Sequence, residues 1–65
     1  MIEIGQLRRW NRDADADSAG EVFLVIGFTE SLGDCMFVDY IMNGELFWDD
    51  EDWVETHSEV INETR

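Results

Sequence analysis

Two runs of β-branched and aromatic residues flank the dipeptide Asn43-Gly44, and this pattern constrains the fold more than any other feature of the chain. The runs are residues 35–42 (CMFVDYIM) and residues 45–48 (ELFW). A two-residue type I′ turn needs φ > 0 at both central residues, which Asn and Gly tolerate best. The pattern therefore predicts a β-hairpin, with Asp39 as a polar interruption in its first strand.

Two further strands are predicted before the hairpin. Residues 2–10 contain alternating apolar positions, with a bulge or bend expected at Gly5. Residues 21–29 (EVFLVIGFT) are apolar at both alternating sets of positions, which is typical of a central strand covered on both faces. The polar and small residues 11–20 between these strands are typical of a loop.

The chain after the hairpin changes character twice. The acidic run at residues 49–52 is too charged for a sheet core, so the fourth strand should end near residue 49. A short helical turn is expected over residues 52–57, followed by a last strand. The predicted fold class is all-β: a five-stranded antiparallel SH3-like barrel with a short helical turn before the last strand. Its strands lie near residues 2–10, 21–29, 35–42, 45–49 and 58–62.

Length and charge limit what such a barrel can do. The 65 residues allow one domain, spanning residues 1–65. Sixteen acidic residues against four arginines and no lysine give a formal net charge of −12. Because binding nucleic acid requires neutralising several phosphates, we expect no direct contact with DNA or RNA, nor with anionic membranes.

The single cysteine, Cys35, permits no intramolecular disulfide and no cysteine-rich zinc site, and we expect it to be buried as a small hydrophobe. No signal-peptide pattern and no apolar stretch of about 20 residues is present. These features predict a protein of a reducing cytoplasm.

Four segments resemble a type of small phage-encoded protein of mostly unassigned function. They are GQLRRW (residues 5–10), VFLVIG (22–27), VDYIMNGELFW (38–48) and SEVI (58–61). The resemblance implies an SH3-like barrel and a viral setting, so the cytoplasm would be that of the host cell. The chain departs from the type in its acidity and in the stretch at residues 49–56.

Two clusters contain residue types that could bind a metal ion or transfer a proton. Asp13, Asp15 and Asp17 have the alternation of the first calcium ligands in an EF-hand loop, but the required Gly and Glu do not follow. His57 lies between Glu55 and Glu59, and in an extended segment the three side chains would face one side as a possible metal or acid-base cluster. Such a spacing arises often by chance in so acidic a chain, so an exposed or locally hydrogen-bonded His is favoured. We therefore predict no enzyme, no metal and no cofactor.

The acidic residues and two tryptophans are the candidate partner-binding set. Carboxylates can steer a basic partner, and Trp is enriched among the residues that dominate binding energy. The set predicts a protein-binding module that inhibits or modulates a host protein by occupying its basic surface as a DNA mimic. Its members are Asp13, Asp15, Asp17, Trp48, Asp49, Asp50, Glu51, Asp52 and Trp53.

Two alternatives remain open. The chain could be a structural or assembly protein that forms a small homo-oligomer, with its charge serving solubility. It could also sequester a small nucleotide in an aromatic pocket, provided that Arg8, Arg9 or Arg12 lines that pocket. The sequence alone does not select a partner or an oligomeric state.

Overall fold

A computed structural model describes residues 1–13 and 17–62. It contains five strands and one helix, and the helix precedes the last strand. Their bounds are β1 Leu7–Trp10, β2 Val22–Glu30, β3 Met36–Met42, β4 Glu45–Asp50, α1 Glu51–His57 and β5 Ser58–Val60.

All five strands form one antiparallel sheet in the order β4-β3-β2-β1-β5. The predicted mostly-β fold with a helical turn before the last strand is confirmed. Closure into a barrel is not: β4 and β5 form the two edges, and no pairing between them occurs within residues 1–13 and 17–62. β5 is the edge strand on one side and pairs with β1. These two strands have only three and four residues, so they offer little length for further pairing towards β4.

The predicted hairpin is confirmed at Asn43-Gly44, where φ is 54° and 79° respectively. Positive φ at both residues is the requirement of a type I′ turn. The turn sets the register in which Met42 pairs with Glu45 and Tyr40 with Phe47. This register determines which side chains of β4 share each face of the sheet.

The first strand begins later than predicted, at Leu7 rather than at residue 2. Gly5 has φ of 92°, in the left-handed region that favours glycine, and this bends the chain before β1. The Gly5 N–H still donates to the Val25 carbonyl at 2.9 Å. Ile2 is buried in the core despite lying outside the strand.

One face of the sheet carries the core. Its central residues are aromatic and pack on one another. The rings of Trp10 and Phe23 stack with centroids 4.5 Å apart, and those of Phe23 and Tyr40 are tilted, with centroids 4.6 Å apart. Aromatic rings supply large buried areas, which a chain this short needs. The buried apolar residues are Ile2, Trp10, Phe23, Val25, Val38, Tyr40, Met42 and Val54.

Helix α1 covers part of this core face and inserts Val54, which is fully buried. Asp50 caps the helix, because its Oδ1 accepts from the backbone N–H groups of Asp52 and Trp53. Such a cap satisfies N–H groups that have no partner inside a helix. The acidic run, predicted to end the fourth strand, thus supplies both the last residues of β4 and the start of α1.

Arg8 joins the helix end to the sheet. Its buried guanidinium donates to Ser58 Oγ at 2.7 Å, to the Ser58 carbonyl at 3.0 Å and to Gln6 Oε1 at 3.1 Å. Burial lowers the pKa of Arg8, and the negative charge of Glu55 opposes that effect. Arg8 is therefore a structural residue held by hydrogen bonds across β1 and β5.

Cys35 is exposed, so the prediction that it is a buried hydrophobe was wrong. It lies in the turn between β2 and β3, one residue before β3 begins. Cys35 is the first residue of the apolar run 35–42, and this position predicted that it belongs to the strand. The core face is instead filled by the larger side chains of β3, namely Val38, Tyr40 and Met42.

Candidate partner-binding surfaces

The face of the sheet opposite the core is apolar and exposed. Side chains that alternate with the core residues of β2, β3 and β4 point to this side, as the pairings of Leu24 with Ile41 and of Ile41 with Leu46 show. We call the set Val22, Leu24, Ile26, Ile41, Leu46 and Trp48 the outer face; each is more than a third exposed. Clustered exposed hydrophobic residues of this kind mark interaction sites.

The outer face contains a shallow pocket of about 480 Å³ beside Trp48. Ile26, Phe37 and Leu46 supply apolar walls, and Trp48 is 63% exposed. Asp39 also lines the pocket, and its Oδ2 accepts from the Thr29 hydroxyl at 2.7 Å. The remaining lining residues are Thr29, Glu30 and Ser31, so the pocket combines apolar walls with two carboxylates.

A group of carboxylates lies at the end of β4 and the start of α1. Asp34, Asp50, Glu51 and Asp52 line one small depression together with Cys35 and Met36. We call these four carboxylates the acidic edge. Asp50 pairs with Phe37 across β4 and β3, and Phe37 lines the pocket beside Trp48, so the acidic edge follows directly on the pocket of the outer face.

A second pocket, of about 350 Å³, lies on the core side of the sheet, and we call it the aromatic pocket. Among the described residues, four aromatic rings, a methionine, a serine and one carboxylate line it. They are Trp10, Ser18, Tyr40, Met42, Phe47, Asp49 and Trp53. The volume is at the lower end of the roughly 300–1,000 Å³ found for small-molecule sites.

The carboxylate of the aromatic pocket is fixed by a hydrogen bond. The Tyr40 hydroxyl donates to Asp49 Oδ2 at 2.6 Å, and the Tyr40 and Phe47 rings stack with centroids 5.7 Å apart. Burial, the hydrogen bond and the charge of Asp49 together raise the pKa of Tyr40 above its ordinary value. The phenol therefore remains a neutral donor to the carboxylate.

Two further features lie around this pocket. Trp10 is nearly fully buried, yet its indole N–H has no hydrogen-bond acceptor within the part of the chain that the structure describes. Such an unmade bond costs about 1–3 kcal/mol. Trp53 packs on His57 with ring centroids 3.9 Å apart, and His57 Nδ1 lies 3.3 Å from Asp13 Oδ2.

The structure separates the predicted partner-binding residues that it describes into four places. Trp48 lies on the outer face, whereas Asp49 and Trp53 line the aromatic pocket on the other side of the sheet. Asp50, Glu51 and Asp52 belong to the acidic edge. The 11–20 loop holds Asp13 beside His57 and an exposed Asp17, while Asp15 lies outside the described residues.

The structure divides the cluster of Glu55, His57 and Glu59 between two elements, whereas the Asp13, Asp15 and Asp17 cluster lies partly outside the described residues. Glu55 lies in α1 and Glu59 in β5, so they do not share one extended segment with His57. Across residues 1–13 and 17–62, no group of three or more His, Cys, Asp or Glu side chains is arranged to hold a metal ion. In the same part of the chain, no helix is long and apolar enough to cross a membrane.

The outer face as a continuous apolar surface is the candidate interaction site that the sequence did not predict. The signal was present, since residues 21–29 are apolar at both alternating sets of positions. This pattern predicts a central strand that is buried on both faces. β2 is indeed central in the sheet, but only one of its faces is covered. An apolar face left exposed on a central strand is the pattern expected of an interface.

No protein-family model, curated protein or solved structure matches this chain.

Proposed function

We propose that this chain is a small acidic protein-binding module of the phage type, which inhibits or modulates a host protein by occupying a basic, nucleic-acid-binding surface. The observation that carries the proposal is the continuity between the outer face and the acidic edge. Trp48 and Phe37 supply apolar contact, and Asp39 and Asp50 are their cross-strand neighbours. A partner would therefore present an apolar centre bordered by Lys or Arg.

The charge distribution favours a basic partner over a neutral one. None of the arginines that the structure describes, Arg8, Arg9 and Arg12, lines either the pocket beside Trp48 or the acidic edge. A net charge of −12 would accelerate association with a basic surface and oppose binding to an acidic one. Duplex DNA carries one charge per ~1.7 Å, so twelve charges correspond to about 20 Å of helix. The smallest dimension of the molecule, 22 Å, is comparable.

The finer fold assignment, an SH3-like barrel, belongs to the same proposal. Supporting it are the five antiparallel strands, the type I′ hairpin between the third and fourth, and the helix before the fifth. The phage setting is supported by the resemblance of the four sequence segments.

A homo-oligomer is the second candidate, and the exposed outer face is the observation that favours it. A second copy could cover the outer face with its own. Pairing two identical faces would, however, bring together two chains that each carry a net charge of −12, and this repulsion disfavours the dimer at low salt. A basic partner avoids that cost.

The nucleotide alternative is weaker. Arg9 and Arg12 line a surface depression with Trp10, but Arg9 is already paired with Glu59 at 3.1 Å. Neither arginine lines the aromatic pocket, where Asp49 is the only charged group in the described part of the chain. A phosphate would therefore meet a carboxylate at either place.

Matched tryptophan variants test the proposal. Wild-type protein, Trp48→Ala and Trp53→Ala would each be immobilised and exposed to a host-cell lysate, and the captured proteins quantified at several salt concentrations. We expect Trp48→Ala to reduce capture by about tenfold or more, because central aromatic residues dominate interfaces, and Trp53→Ala to retain it. Circular dichroism of each variant checks that the fold is kept.

A charge variant separates steering from apolar anchoring. Glu51→Gln with Asp52→Asn removes two charges of the acidic edge while leaving the Asp50 cap and the Asp49 hydrogen bond in place. We expect slower association and a flatter salt dependence towards the captured protein, which duplex DNA should displace. Equal capture by Trp48→Ala, or a captured surface that is neutral or acidic, would overturn the proposal. A wild-type dimer that Trp48→Ala dissociates would favour the homo-oligomer.

A further inference from the structure

The aromatic pocket has the composition of a cation site. Trp10, Tyr40, Phe47 and Trp53 line it, and among the residues that the structure describes no Lys, Arg or His side chain does so. The rings of Trp10 and Tyr40 stand at 72° to one another, so the walls of the pocket face different directions. Aromatic rings attract cations through their negative faces, and several rings around one cavity form the known type of site for quaternary ammonium groups.

The single charge of the pocket reinforces this preference. Within residues 1–13 and 17–62, Asp49 is the only carboxylate that lines the pocket, and the hydrogen bond from the Tyr40 hydroxyl fixes one of its oxygens. No arginine of the described chain is hydrogen-bonded to Asp49. A cation that enters the pocket would therefore meet a carboxylate whose charge is not already neutralised by an ion pair.

The scarcity of acceptors distinguishes one kind of cation from another. An unmodified ammonium group has three N–H donors and a guanidinium has five, all of which need acceptors once buried. Apart from Asp49, the lining side chains offer only the hydroxyl of Ser18, the phenol of Tyr40 and the sulfur of Met42. A methylated ammonium has few or no N–H donors and loses little on entering such a pocket.

We propose that the aromatic pocket binds an alkylated ammonium group, of the kind carried by choline or by a trimethylated lysine side chain. This inference is independent of the proposed function, because the aromatic pocket and the outer face lie on opposite sides of the sheet. The pocket volume of about 350 Å³ accommodates such a group together with part of its chain.

A pair of isosteric probes tests the charge dependence. Choline and its neutral isostere 3,3-dimethylbutan-1-ol would be titrated into the ¹⁵N-labelled protein, and the three Trp indole N–H signals followed by NMR. We expect choline to shift the signals of Trp10 and Trp53 but not that of Trp48, which serves as the internal control. The neutral isostere should bind about tenfold more weakly or worse.

Two variants and one peptide complete the experiment. Asp49→Asn removes the charge and Phe47→Leu removes one ring, and each should weaken choline binding about tenfold, with the backbone spectrum confirming the fold. A short peptide bearing trimethyl-lysine that binds more tightly than choline identifies a protein side chain as the natural source; equal binding identifies a free small molecule. Equal affinity for the neutral isostere, shifts at Trp48 alone, or no shift at about 10 mM choline would each overturn the inference.

Discussion

The side chains of Tyr40 and Asp49 show how one residue pair links the core to a candidate site. Tyr40 lies in the aromatic cluster of the core, and its hydroxyl reaches Asp49 at the margin of the aromatic pocket. The phenol is buried on its ring side and hydrogen-bonded on its polar side. Both effects favour the neutral form, which explains the raised pKa of Tyr40.

This raised pKa predicts a loss of stability in alkaline solution. The phenol of the unfolded chain ionises near pH 10, whereas that of the folded chain stays protonated to higher pH. Above about pH 10 the unfolded state therefore binds fewer protons than the folded state, and stability decreases as pH rises. Since Tyr40 is the only tyrosine, phenolate absorbance near 295 nm reports on it alone.

We expect this absorbance to appear only together with unfolding, as followed by circular dichroism, and not as a separate step near pH 10. Tyr40→Phe provides the control, because its stability should lack the tyrosine contribution to the alkaline decline. A phenolate signal at pH 10 in protein that is still folded would contradict the burial and hydrogen bonding assigned to Tyr40.

At the scale of elements, most strands of the sheet could be predicted from the sequence, but which of its two faces is buried could not. The turn at Asn43-Gly44 demands a specific backbone geometry, so local chemistry was sufficient to locate the hairpin. The exposure of β2 on one side depends on whether other elements pack against that side, and the residues of β2 alone do not determine this. Likewise, Trp48 and Trp53 are close in sequence but lie on opposite sides of the sheet because a strand ends and a helix begins between them.

The junction between α1 and β5 depends on one serine. Ser58 Oγ accepts from Arg8 Nε and donates to the Val54 carbonyl, and both bonds are buried. Ser58→Ala would leave the guanidinium with an unsatisfied donor, at a cost of about 1–3 kcal/mol in the free energy of unfolding. Urea denaturation measures this difference.

The matched control is Ser31→Ala, since the Ser31 hydroxyl donates only to the neighbouring Leu32 carbonyl at an exposed turn. We expect this variant to stay within about 0.5 kcal/mol of wild type. Equal stabilities of the two variants would show that the buried bonds of Ser58 do not hold the junction together.

For the whole molecule, charge and size act against each other. A chain of 65 residues buries a limited core, and a net charge of −12 repels itself in the compact state. Added salt screens such repulsion, so we expect the melting temperature to rise by several degrees between about 20 and 200 mM NaCl. Asp34→Asn, at an exposed turn, should raise stability at low salt and reduce the response.

Scanning calorimetry at several protein concentrations also reveals any contribution from self-association, which would make the midpoint depend on concentration. A midpoint that changes with neither salt nor protein concentration would show that the carboxylates do not destabilise the folded chain.

Photo-cross-linking from single positions tests the central claim, that the outer face binds a basic partner. A photoreactive phenylalanine derivative would replace Trp48 in one variant and Trp53 in the other, and both would be irradiated in host cells. We expect position 48 to give adducts with a protein whose contact surface is rich in Lys and Arg. Position 53 should give none of these adducts. The same adducts from both positions, or adducts from position 48 with further copies of this chain alone, would contradict it.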